Sequence, residues 1–151
     1  MTALHMILVM FMGVNLYSLQ YLAGFFDGEG SIFVTPAGGR YPVYVSISNT
    51  YKPVLDEFAR RFGGKVILGR QKENYKQIYL WCITTNKALA CIRTLRPYLI
   101  EKAPQAWLAL EYWEQRTRQA RTGRSDEELA LREGYRLALQ NSKRLHFGWS
   151  E

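Results

Sequence analysis

Two carboxylates separated by one glycine, Asp27 and Glu29, are the side chains in this sequence with the clearest chemical potential. They follow an apolar stripe at helical spacing, formed by Leu19, Leu22, Phe25 and Phe26. Acids are unfavourable there, because the carbonyl end of a helix carries partial negative charge. A bound metal cation would remove that repulsion, so the pair predicts a cation site at the foot of a helix. The alternative is an amphipathic helix with two exposed acids and no ligand.

The helix that carries these acids is predicted to begin between Asn15 and Ser18, either of which can cap it. It is predicted to end over residues 27–30, since glycine readily takes the left-handed conformation found just past helix ends. Ala23 and Gly24 are small and adjacent, so another backbone can approach that face closely. The alternative for this small pair is close packing within one chain.

A regular succession of strands and helices follows the acidic pair. The strand patterns are β-branched or alternating, and the helical patterns begin or end near proline and glycine. In chain order we predict strands over 31–35 and 41–49, a helix near 53–62, strands over 65–72 and 77–84, and helices near 86–95, 102–119 and 125–140.

This order, α-β-β-α-β-β-α followed by more helix, predicts an α+β fold in which two antiparallel hairpins pack against helices. We expect a core over residues 16–120, an apolar N-terminal segment over 1–15 of unclear role, and a C-terminal helical extension over 121–151. The apolar run is too short to span a bilayer and lacks the basic start of a secretory signal. We therefore expect no membrane partner, and a protein that works where it is made, in a bacterial cytoplasm or an organelle.

Composition supports a single globular domain with a basic surface. The chain has 151 residues, of which 48% are hydrophobic, enough for a proper core. Its 20 Lys and Arg against 13 Asp and Glu leave a net charge of +7, which favours a polyanionic partner. Cys82 and Cys91 are predicted to be reduced core thiols. With two histidines, His5 and His146, the sequence offers neither a zinc-ligand cluster nor a Cys–His nucleophile.

The stretch Leu-Ala-Gly-Phe-Phe-Asp-Gly-Glu-Gly at 22–30 resembles the signature of the LAGLIDADG homing endonucleases. Seven of its nine residues equal the family's commonest letters or their common variants. The order of elements extends the resemblance over roughly residues 16–113, since the family has the same core with a saddle-shaped sheet. The resemblance implies an intron-encoded, Mg²⁺-dependent endonuclease that makes double-strand breaks at long pseudo-palindromic DNA sites.

The resemblance also implies roles for individual residues. Glu29 matches the family's metal-binding acid, and the Gly28 carbonyl meets a metal in relatives. Asp27 matches the first acid of the signature, which we interpret as mainly structural. Asn49 aligns with a residue that positions water in relatives, although it could equally cap the next helix. Lys102 follows a family-like Leu-Arg-Pro-Tyr-Leu sequence and is the candidate charge-stabilising lysine, or an ordinary solvated one.

One signature copy implies a homodimer, because two strands must be cut. The predicted dimer interface is the signature helix, through Leu22, Ala23, Gly24 and Phe26. The predicted DNA-binding residues are the polar face of the first hairpin and the basic second hairpin: Ser31, Phe33, Thr35, Arg40, Tyr44, Ser46, Ser48, Arg70, Lys72, Lys76 and Gln77. The alternative is that these residues are simply the solvated face of a sheet.

Two other functions are compatible with the same resemblance. Some members of the family are maturases that bind intron RNA and assist splicing, and nothing in the sequence excludes this partner. A non-catalytic DNA-binding regulator on the same scaffold is the third possibility. Retention of Glu29 and Lys102 favours the nuclease, because neither binding function requires them.

Overall fold

The computed structural model describes residues 17–71, 73–119 and 126–143. Predictions for the N-terminal apolar segment, Lys72, the helix-opening Ser125 and the C-terminal end lie outside the described residues. The helices are α1 Leu19–Glu29, α2 Lys52–Phe62, α3 Thr85–Leu95, α4 Ala103–Gln119 and α5 Asp126–Ser142, with a short 3₁₀ turn Arg96–Tyr98 before α4. The strands are β1 Gly30–Val34, β2 Val43–Asn49, β3 Val66–Leu68 and β4 Tyr79–Thr84. No helix among these is long and apolar enough to cross a membrane.

The four strands form one antiparallel sheet in the order β1-β2-β4-β3. Gly30 pairs with Ile47 at one end of the β1–β2 hairpin, and Val34 pairs with Val43 at the other. The second hairpin joins the first through β4, which pairs with β2 from Tyr44 to Asn49. This arrangement confirms the predicted α+β class, the order of elements and the additional C-terminal helices.

Side-chain burial alternates along the strands, which shows which face of the sheet packs against the core. Val43, Val45 and Ile47 of β2 are buried, and Trp81 and Ile83 of β4 are buried beside them. The residues between them point to the opposite side of the pleat, because successive strand side chains alternate. We call that opposite side the outer face; it holds Ser31, Phe33, Tyr44, Ser46, Ser48, Leu80, Cys82 and Thr84.

The second hairpin is shorter than predicted. β3 comprises three residues rather than the expected 65–72, and β4 begins at Tyr79 rather than Gln77. The intervening run is polar and charged, so few side chains there favour an extended strand. The Gln77 side chain instead closes the base of the connection, donating to the carbonyls of Gly69 at 3.2 Å and Ile78 at 2.7 Å. Asn74, with φ of 70°, lies in the turn of this connection.

The predicted core position of Cys82 is wrong, whereas that of Cys91 is correct. Cys82 belongs to the outer face of β4, alternating with buried Trp81 and Ile83, and it is exposed. Cys91 lies on the core side of α3, and burial raises the pKa of its thiol. The flanking residues of Cys82 are apolar, but strand alternation places every second residue on the outer face.

The end of α1 is set by steric contact and not by left-handed dihedrals. Ser18 caps the start of the helix, its hydroxyl accepting from the Tyr21 N–H at 3.0 Å, as predicted. The helix runs through Glu29, and Gly30 follows with φ of −78° and ψ of 165°, an extended conformation open to any residue. A Cβ at Gly30, however, would lie 2.2 Å from Cδ2 of buried Phe26. Glycine is therefore required so that β1 can leave the helix directly beneath the Phe26 ring.

Gly30→Ala should destabilise the fold, because the added methyl overlaps an aromatic ring that is itself fully buried. We expect a loss of about 1–3 kcal/mol in the free energy of unfolding, measured by urea denaturation. Gly134→Ala is the matched control, since a Cβ there meets nothing within 4 Å inside α5. That control should be neutral or stabilising by about 0.5–1 kcal/mol. Equal stabilities for the two variants would contradict the steric explanation.

Candidate active site

The carboxylate of Asp27 joins the end of α1 to the segment that precedes α4. Its Oδ2 accepts the backbone N–H of Ile100 at 2.7 Å, and its Oδ1 accepts the backbone N–H of Lys102 at 2.9 Å. Both oxygens are therefore occupied by the chain's own backbone. This geometry gives Asp27 a structural role, that of holding the 100–102 segment against the foot of α1.

The Lys102 side chain returns to the same helix end. Its ammonium group donates a hydrogen bond to the backbone carbonyl of Asp27, in the last turn of α1. The last carbonyls of a helix have no partner inside the helix, and a cation there also complements the helix dipole. The ammonium of Lys102 is thus held near Glu29, which is the last residue of α1.

Glu29 is exposed, and its carboxylate has no hydrogen-bond or ion-pair partner within the described part of the chain. It stands at the negative end of the α1 dipole, where a carboxylate gains from a nearby cation. The acid is therefore accessible to a ligand, unlike Asp27, whose oxygens are already used.

One chain does not hold a complete metal cage. Among residues 17–71, 73–119 and 126–143, no group of three or more His, Cys, Asp or Glu side chains lies close enough to hold an ion. The oxygen donors at this helix end are the Glu29 carboxylate and backbone carbonyls such as that of Gly28. Mg²⁺ accepts one or two carboxylates when water and phosphate oxygens complete its shell. The residues present therefore fit Mg²⁺ only together with a substrate phosphate or a second chain.

Asn49 lies at the same end of the sheet as the acidic pair. It is two residues beyond Ile47, which pairs with Gly30 at the start of β1. Its side-chain Oδ1 accepts the backbone N–H of Tyr51 at 2.9 Å, forming a turn before α2. Tyr51 and not Asn49 is the N-cap of α2, so the alternative prediction of a helix cap is wrong.

The predicted contact residues of the first hairpin share the outer face. Ser31 pairs with Ser46, and Phe33 pairs with Tyr44, whose ring lies nearly parallel at a centroid distance of 5.0 Å. Ser48 belongs to the same face near the Asn49 end of β2. These five residues therefore form one continuous surface.

The other predicted contacts lie on connections and not on strands. Thr35 follows β1, and Arg40 is exposed in the turn that Ala37 and Arg40 close through backbone hydrogen bonds. Arg70 and Lys76 lie in the connection between β3 and β4. The side chain of Gln77 is engaged in that connection by its two carbonyl contacts.

Two sets of outer-face residues were missed from the sequence. Leu80, Cys82 and Thr84 of β4 lie opposite β2 on this face, and their alternation with buried Trp81 and Ile83 was a usable signal. Lys143, just past α5, donates a hydrogen bond to Ser31, and no sequence pattern predicted that contact.

The predicted dimer interface is largely wrong. Leu22 and Ala23 have no exposed surface and Phe26 has 1%, so a partner chain has nothing left to cover there. The apolar stripe of α1 faces the chain's own core because the sheet and α3 pack against it. Gly24 is exposed, as is Gly28 one turn later, and a Cβ at either position would meet nothing within 4 Å.

Comparison with known proteins shows one matching sequence family and several similar structures. The sequence model of the LAGLIDADG-like domain matches residues 17–96. The archaeal intron-encoded homing endonuclease I-Vdi141I, solved in complex with DNA, has a similar structure, with a TM-score of 0.64 and 18% identity over 82% of each chain. I-SmaMI, bound to an uncleaved DNA target in the presence of calcium ions, gives a TM-score of 0.63 and 17% identity over 83% of this chain and 45% of that chain.

A third similar structure is I-CvuI, in complex with its target in the presence of 2 mM Ca, with a TM-score of 0.60 and 17% identity over 88% of this chain and 84% of that one. No curated protein sequence matched the chain. Identities this low show a shared fold. Because the matched domain covers more than half of the sequence and includes the signature at 22–30, this protein belongs to the LAGLIDADG family.

Proposed function

We propose that this protein is a site-specific DNA endonuclease that hydrolyses phosphodiester bonds with divalent cations, acting as a homodimer. The observation that carries the proposal is the presence of an accessible acid, Glu29, and of the Lys102 ammonium at the same helix end. Membership of the LAGLIDADG family supports it. The similar structures of I-Vdi141I and I-SmaMI were solved with DNA, the latter with calcium ions.

Each of the residues at this helix end has a separate role in the proposed hydrolysis. The Glu29 carboxylate and the Gly28 carbonyl would hold Mg²⁺, which supplies an activated water and neutralises developing charge when bound. The Lys102 ammonium stabilises negative charge on the phosphate under attack. The Asn49 amide orients water beside it, and Asp27 keeps Lys102 at the required position through its two backbone hydrogen bonds.

A second copy of the chain completes the site. One set of these groups cuts one strand, so a double-strand break needs two sets in opposite orientations. The exposed glycines of α1 permit two helices to pack closely, which would bring the two Glu29 residues together. This chain spans 45% of I-SmaMI, a length that leaves room in that polypeptide for two such units. Two-fold pairing implies a pseudo-palindromic target.

The outer face of the sheet is the proposed DNA surface. Its seryl hydroxyls and the Tyr44 side chain suit hydrogen bonds to base edges. Arg40, Arg70 and Lys76 lie on the connections at its ends, where they suit phosphate contacts. The excess of basic residues over acids, 20 against 13, supports a polyanionic partner.

Glu29→Gln should abolish cleavage while DNA binding survives. The amide loses the charge that holds the cation but keeps the side-chain shape, so we expect a rate loss of about 100-fold or more. Cleavage would be measured in Mg²⁺ on a site selected from a pseudo-palindromic library, and binding by fluorescence anisotropy in Ca²⁺. Wild-type protein with a chelator should match the variant. Undiminished cleavage by the variant would refute the metal-ligand assignment, and a wild type that binds but never cuts would favour a regulator.

Gly24→Arg should yield a stable monomer. A side chain at Gly24 meets nothing in its own chain, but it would separate two α1 helices packed at their glycines. Gly134→Arg is the matched control, because it adds the same charge at another open helical glycine. Sedimentation velocity should show a dimer for the wild type and the control, and a monomer for Gly24→Arg. A monomeric wild type, or a dimeric Gly24→Arg, would contradict the proposed pairing.

Asp27→Asn should weaken the fold without changing the dependence on metal. The carboxylate accepts backbone N–H groups of Ile100 and Lys102 with its two oxygens, whereas an amide has one oxygen and an NH₂ group that cannot accept. One hydrogen bond is therefore lost, and we expect a decrease of about 1–2 kcal/mol in the free energy of unfolding. The cleavage rate should fall because Lys102 is less well held, while the Mg²⁺ concentration giving half of the maximal rate stays the same. A large rise in that concentration would instead make Asp27 a metal ligand.

A further inference from the structure

A cleft of about 690 Å³ opens beside the start of β1, next to the proposed catalytic groups. One wall is the segment that Asp27 holds, including Glu101 and Lys102, and the opposite wall is the end of α5 with Lys143. Gly30 and Ser31 form its floor. The cleft therefore joins three parts of the chain that are distant in sequence.

Lys143 brings a positive charge onto the outer face of the sheet. Its ammonium donates to the Ser31 hydroxyl at 3.0 Å and lies 5.6 Å from the centroid of the Phe33 ring. Ser31 and Phe33 are two of the residues predicted to contact DNA. The C-terminal helix thus extends the proposed DNA surface at the point nearest to Glu29.

Lys102 and Lys143 both line this cleft. Burial lowers the pKa of Lys143, and the positive charge of Lys102 lowers it further. Within the described residues, neither lysine takes part in a salt bridge. The carboxylate that lines the cleft is that of Glu101, which is exposed. Two lysines that line one concave site create a positive potential that favours an anion.

Attachment of α5 to the sheet does not require this charge. α5 is held by the buried Leu139 and by the Tyr135 ring against that of Tyr112 in α4. An uncharged side chain of similar length at Lys143 would pack on Phe33 without repelling Lys102. The ammonium is therefore unexplained by packing alone.

We propose that Lys143 and Lys102 together bind one phosphate of the DNA backbone, the phosphate at which Lys102 acts. An ammonium group has three donors, so Lys143 can keep its hydrogen bond to Ser31 while it donates to a phosphate oxygen. The bound anion removes the repulsion between the two lysines. This inference rests on the proposed endonuclease function and adds a substrate-contacting residue from the C-terminal helix.

Three single variants test the phosphate contact. Lys143→Met keeps the length and apolar stem, Lys143→Arg keeps the charge, and Lys87→Met removes an exposed lysine from α3, on the other side of the sheet. The probe is a random-sequence DNA duplex, because phosphate contacts do not depend on sequence. Affinity would be measured by anisotropy in Ca²⁺ over a series of salt concentrations, and stability by thermal unfolding.

Lys143→Met should weaken binding about 10-fold and reduce the slope of log K against log salt by about 0.9, the value for one lost phosphate contact. Lys143→Arg and Lys87→Met should both retain the wild-type slope. The thermal midpoints of all three should stay close to that of the wild type. An unchanged slope in Lys143→Met, with or without a lower midpoint, would overturn the proposal and leave Lys143 as a packing residue.

Failure of this inference is distinguishable from failure of the endonuclease proposal. A Glu29→Gln protein that still cuts, combined with a reduced slope in Lys143→Met, would refute the metal-ligand assignment and keep the phosphate site. Loss of cleavage in Glu29→Gln, combined with an unchanged slope in Lys143→Met, would support the metal-ligand assignment and refute the phosphate site. A wild type that binds no duplex would overturn both.

Discussion

The interaction on which the candidate site depends is the acceptance of two backbone N–H groups by the carboxylate of Asp27. Those hydrogen bonds, at 2.7 and 2.9 Å, hold residues 100–102 against the foot of α1. They place the Lys102 ammonium on the last turn of the helix that ends in Glu29. A charged acceptor makes stronger hydrogen bonds than a neutral one, which suits a contact joining segments more than 70 residues apart. These two hydrogen bonds join the acid and the lysine, which are distant in sequence, at one end of α1.

The different environments of Asp27 and Glu29 follow from their positions on one helix. Asp27 is half-buried and turned to the chain's own backbone, whereas Glu29, two residues later, is exposed at the helix end. Phe26 lies between the core and Gly30, and its ring leaves space only for a glycine where β1 begins. The same few residues therefore end the helix, start the sheet and present one carboxylate to solvent. An accessible acid and a structural acid thus lie two positions apart on one helix.

The outer face of the sheet and the cleft beside it join the proposed hydrolytic groups to the proposed DNA surface. Ser31 begins this face immediately after Glu29 and Gly30, so a polyanion lying along the sheet passes the acid. Lys143 reaches the near end of this face from the end of α5, and Arg70 and Lys76 lie in the connection between β3 and β4. The groups proposed for binding and for chemistry thus lie on one side of the sheet, while its apolar side is covered by helices.

Local sequence determined the order of the elements and the family. Periodicity and turn residues predicted the α-β-β-α-β-β-α order, and the signature at 22–30 named the family, because both signals reside in adjacent residues. Tertiary packing decided what local patterns cannot contain. It turned Leu22, Ala23 and Phe26 to the chain's own core, since a helical stripe does not reveal which neighbour covers it. It likewise brought Lys143 to Ser31 across 112 residues, because such contacts arise only when distant segments pack.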